Sequence, residues 1–130
     1  MVNVKLLKKV RKLIAEDPRR LNMEYWGIRV KDMYFKPLNP PPCGTIACLA
    51  GWTILAATPE EEWPSLFHGW TGLCWVDRSG QNIADKAAAL LGFKNRHALP
   101  FGEVMWGADE VIAWIDRQLA EARTNSSPKI

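Results

Sequence analysis

Histidine occurs twice and cysteine three times in these 130 residues, and that scarcity excludes several classes of protein. An odd cysteine count makes a poor disulfide framework, and free thiols suit a reducing compartment. No finger-like zinc set can be assembled: Cys43 and Cys48 are five positions apart, Cys74 is distant, and neither His68 nor His97 supplies a matching spacing. Neither a metal nor a cofactor is therefore expected. No apolar run approaches the roughly 20 residues that span a bilayer, so no membrane role is expected. Lys8, Lys9, Arg11 and Lys12 interrupt the N-terminal apolar positions, which removes a signal-peptide core and points to the cytoplasm of a bacterial or phage-infected cell. Walker, G-x-G-x-x-G, G-x-S-x-G and H-E-x-x-H motifs are all missing, which sets aside the common nucleotide hydrolases, lipases and metalloproteases. Glu60, Glu61 and Glu62 read as a solvated first turn and Asp109-Glu110 as a helix start, so no glycosidase pair is indicated.

What is present describes one domain with its own core, since 48% of the residues are apolar and 24% are charged. Charge is unevenly spread: residues 1–20 hold seven basic against two acidic residues, whereas the remaining 110 hold ten against twelve. Lys5, Lys8, Lys9 and Lys12 could attract nucleic acid or an acidic partner, although a solvated helix face is the plainer reading. No helix-turn-helix pairing is visible, and this basic segment lacks Asn or Gln base readers.

Val4, Leu6, Leu7, Val10, Leu13 and Ile14 recur at helical spacing and predict a helix over 3–16, which Asp17-Pro18 stops. Asn22 caps a short turn ending at Gly27, and Ile28 to Phe35 reads as a short strand or extended loop. Thr45 and Thr58 are expected N-caps, the first for a helix reaching Ala57. Within that helix Ala47, Ala50, Gly51 and Ile54 form one narrow face of small residues. Leu73 to Val76 is a candidate strand; Asn82 caps a helix that Gly92 ends, and Asp109 to Ala122 is the closing helix. The expectation is a mainly α fold: a compact bundle of four or five helices over 1–122, with aromatic-rich loops and room for a short β-hairpin. A polar tail over 123–130 follows.

The densest signal is the run from Pro40 to Trp52. Three prolines hold the approach extended, Gly44 allows a sharp turn, and Cys43 is expected at a helix start whose amides and dipole would make its thiol reactive. The pattern C-G-T-x-x-C-x-A-G-W, preceded by Tyr25-Trp26-Gly27 and followed by Ala87 to Gly92 and Ile115-Asp116-Arg117-Gln118-Leu119, resembles a group of small, largely uncharacterised bacterial and phage proteins. That resemblance covers roughly residues 4–120 and implies a shared fold rather than an activity.

Seven tryptophans exceed what a core of this size requires. Trp63, Trp70 and Trp106 fall in irregular segments and are expected as groove walls, while Trp26, Trp52 and Trp114 are expected in the core. Trp63, Trp70 and Trp106, together with Cys43, Gly44, Thr45 and His68, form the candidate ligand site. The first reading is a non-catalytic binder of a phosphate-bearing, nucleotide-derived ligand or a partner peptide. Small phage proteins that sequester signalling nucleotides share this size class. The alternatives are a cysteine-dependent hydrolase or transferase, with Cys43 as nucleophile and His68 as base, and a nucleic-acid accessory protein. A homo-oligomer is compatible with each.

Overall fold

Asn3 opens the first helix, its side-chain oxygen accepting from the Leu6 amide at 3.1 Å. The structure, a computed structural model, describes residues 2–34, 36–66 and 82–126. α1 spans Val4–Glu16 and buries Leu6, Leu7, Val10 and Ile14, the stripe expected from its period. Asp17 ends it as expected and caps a 3-10 turn over Pro18–Arg20 through the Arg19 amide.

The centre of the molecule is α2, Leu49–Ala56, in which every residue is buried. A helix that is apolar on all sides belongs inside. Its neighbours are α1 and α4, Ile83–Leu91, while α5, Ala108–Ser126, packs along α1. Asn82 caps α4 through the Asp85 amide, and Gly92 ends it with φ of +87°, both as the sequence indicates. α5 continues past Ala122, at which the closing helix was expected to stop, as far as Ser126. The result is a mainly α bundle with, among the described residues, a small antiparallel strand pair, β1 Ile28–Arg29 against β2 Thr45–Ile46.

Two expected caps are corrected. Thr45 does not start a helix: it lies opposite Arg29 in the strand pair, and Ile46 lies opposite Ile28. Ala47 makes a separate parallel bridge to Leu21, donating to the Arg20 carbonyl at 3.0 Å and accepting from the Asn22 amide at 3.1 Å. That non-local backbone pairing holds residues 45–47 extended, so the helix begins only after Cys48, whose sulfur accepts from the Gly51 amide at 3.5 Å. Thr58 is not an N-cap either, because its hydroxyl donates back to the Ile54 carbonyl at 2.8 Å. A 3-10 turn at Glu60–Glu62 then leads into the short α3, Trp63–Leu66.

The small-residue face does admit a neighbouring backbone. A Cβ on Gly51 would overlap the Trp26 carbonyl oxygen and lie 2.8 Å from its carbon. The Cys48 amide donates to the Tyr25 carbonyl at 2.6 Å, fastening the same turn to the start of α2. Asn22 shapes the turn as expected, accepting from the Glu24 amide at 2.9 Å. Trp26 therefore sits where Gly51 allows.

Candidate functional site

Beside that turn lies a cleft of about 610 Å³. Three segments build it. Trp26 comes from the turn held on Gly51, Asn82 and Ala84 from the first turn of α4, and Arg96 to Glu103 from the stretch between α4 and α5. Within that stretch a 3-10 turn, Arg96–Ala98, is capped by Asn95, whose side chain accepts from the His97 amide at 2.9 Å. Leu99 is buried beneath it, and Phe101 packs partly on the main core while also lining the cleft.

The polar groups of the cleft have distinct roles. Arg96 is tied to Asp85 at 3.3 Å, so one edge of its guanidinium is held on the first turn of α4. The Asp85 backbone amide donates to the Asn82 side chain, while its exposed carboxylate accepts from Arg96. His97 and Glu103 also line the cleft. Trp26 and Phe101 give it aromatic surface, and Arg96 gives it a cation with donors to spare. Among the described residues, no three His, Cys, Asp or Glu side chains converge as a metal site requires.

Of the residues expected to form the site, Cys43, Gly44, Thr45, Trp63 and Trp106 do not line this cleft. Cys43 is exposed, its thiol directed at the Thr45 carbonyl oxygen at 3.4 Å, and it precedes a strand rather than a helix. The helix-start argument for its reactivity therefore loses its basis. Gly44 takes φ of +72° with open space where a Cβ would stand, and Thr45 is buried in β2. Trp63 donates its indole N–H to the Leu55 carbonyl at 2.9 Å and to the Thr58 carbonyl at 3.1 Å, and stands edge-on to Trp52. Those contacts close the C-terminal end of α2. Trp106 is half-buried against the main core. His68 and Trp70 lie outside the described residues, as do Cys74 and the segment Leu73 to Val76 in which a strand is expected.

Trp26 was expected in the core and is half-buried there, yet it also lines the cleft. Arg96, His97, Phe101 and Glu103 carry no periodic signal. Only the fold brings them beside α4.

Cys48 has the opposite character to Cys43. Burial pushes its thiol up to about 11, against the opposing effect of the Gly51 amide. Iodoacetamide at neutral pH is expected to label Cys43 in the folded protein and Cys48 only after denaturation, as read by peptide mass spectrometry. Rapid native labelling of Cys48 would contradict its place in the core.

Comparison with protein-family models, curated proteins and solved structures gives no significant match.

Proposed function

We propose that the chain is a small binding protein whose cleft takes a planar, anion-bearing ligand of nucleotide type. One observation carries this reading: Trp26 and Phe101 share a single cleft with Arg96. Aromatic faces stack on a base, and a guanidinium pairs with phosphate in charge-assisted hydrogen bonds. The first turn of α4 adds the positive end of a helix dipole beside the same cation. Glu103 offers an acceptor for the amino edge of a base. Release of Arg96 from Asp85 on phosphate binding would exchange one carboxylate partner for another anion.

No chemical step is needed for such a role, and sequestration of the ligand is sufficient. Cys43 is absent from the cleft lining, so the cysteine-enzyme reading draws no support from it. Among the described residues no helix is long and apolar enough to cross a membrane, and Cys43 and Cys48 stand as free thiols. A cytoplasmic setting suits those thiols.

The test is titration with AMP, GDP, cyclic AMP and a cyclic dinucleotide, read by tryptophan fluorescence. At least one is expected to quench the signal. Arg96→Ala should weaken that ligand about tenfold or more, in keeping with the roughly 1.5–3 kcal/mol of a hydrogen bond to a charged group. Cys43→Ser should bind as the parent does. If every member of the panel leaves the fluorescence unchanged, the nucleotide reading is wrong.

A further inference from the structure

A second surface lies on α1, apart from the cleft. From residue 5 to residue 12 the exposed positions of this helix are Lys5, Lys8, Lys9 and Lys12 and nothing else. These four recur at one-turn spacing and so share one face. The helix has no acidic residue before Glu16. Arg11 does not join them, because Asp116 of α5 holds its guanidinium at 2.6 Å. Among the described residues Lys5, Lys8 and Lys9 form no ion pair, and Lys12 reaches Glu16 only at 3.8 Å with its side chain 76% exposed.

We infer that this face docks on a nucleic-acid duplex through its phosphates, without reading sequence. The composition of the face selects the occupant. A protein partner would be expected to use aromatic or arginine anchors, and the face has none. Insertion into a lipid surface needs an apolar stripe, but Leu6, Leu7, Val10 and Ile14 are already spent in the core. Four ammonium groups and no amide side chain match phosphates and not base edges. Lys5 to Lys12 covers about 10 Å of helix, and a duplex offers one phosphate charge per roughly 1.7 Å of its axis. Every lysine can therefore find a phosphate.

Fluorescence anisotropy of the full chain with short labelled DNA and RNA duplexes of one sequence tests this, the two arms separating DNA from RNA as the source of the phosphates. Four contacts predict a log–log salt slope of about −3.6, a loss of roughly a hundredfold between about 50 and 200 mM salt. Scrambling the duplex sequence should leave the affinity unchanged. Lys8→Gln together with Lys9→Gln should bring the slope to about −1.8 and leave the melting temperature unaltered, since both side chains are exposed. Arg96→Ala should bind duplex as the parent does, which separates this surface from the cleft. The inference is overturned if neither duplex binds at about 50 mM salt, or if the double variant keeps the parental slope. It is also overturned if anionic phosphatidylserine vesicles bind and duplexes do not.

Discussion

Gly51→Leu is expected to lower the melting temperature by roughly 10 °C or more, the equivalent of about 3 kcal/mol in a domain of this size. The cause is the close seat of the Trp26 turn. Even the first side-chain carbon would overlap the Trp26 carbonyl oxygen, and it would meet Ala47 Cβ at 2.9 Å. The obstacle is backbone rather than the free end of a side chain, so it cannot swing away. Nor can the turn lift cheaply, because the Cys48 amide is bonded to Tyr25 and the Asn22 amide to Ala47. Gly51→Ala should already produce much of the loss, which distinguishes this close approach from general overpacking of the core. Circular dichroism melts of both variants give the comparison. An unchanged melt for Gly51→Ala would mean that the turn does not rest on α2.

Trp52→Ala is expected to cost about 3–5 kcal/mol, measured by urea denaturation. Trp52 is 0% exposed, stands 5.9 Å from the Trp63 ring, and donates its indole N–H to the Arg20 carbonyl at 2.7 Å. The substitution removes a large apolar volume from between α2 and its neighbours and takes away one of the two hydrogen bonds to the Arg20 carbonyl. Trp52→Phe separates the two effects. It keeps most of the ring and loses the bond, while the Arg20 carbonyl still accepts from Ala47 at 3.0 Å. A loss of about 1–2 kcal/mol is expected for Phe, from one hydrogen bond and a modest cavity. If Ala costs less than about 1 kcal/mol, Trp52 is not the central core residue that its burial indicates.

Local signals were legible where the structure depends on neighbours in sequence. The period of Leu6, Val10 and Ile14, the Asn82 cap and the left-handed Gly92 all act within a few residues of themselves. The narrow face at Gly51 was also readable, because small residues one turn apart leave room whatever fills it. Thr45 is no cap because it pairs with Arg29, and Ala47 after it with the Arg20–Asn22 backbone, both far away in sequence. A local rule cannot register that competition. Thr58 failed for a smaller reason: its hydroxyl found the last turn of α2 before it could serve the next. The cleft was the least legible feature. Arg96, Phe101 and Glu103 come from an irregular stretch without period, and Trp26 joins them from a turn seated on Gly51 and bonded to the start of α2. The tryptophan surplus pointed to an aromatic site but named other residues, and Trp63 proves to bond the end of α2.

Placement of a nucleotide-type ligand in the cleft is tested most directly by nitrogen-15 correlation spectra during titration with the ligand that quenches fluorescence. The Trp26 indole and the amides of Asn82, Arg96, His97 and Gly102, all from cleft residues, should shift together and saturate at one dissociation constant. Shifts confined to the Trp63 and Trp106 indoles, or spectra that do not change with any nucleotide of the panel, would contradict it.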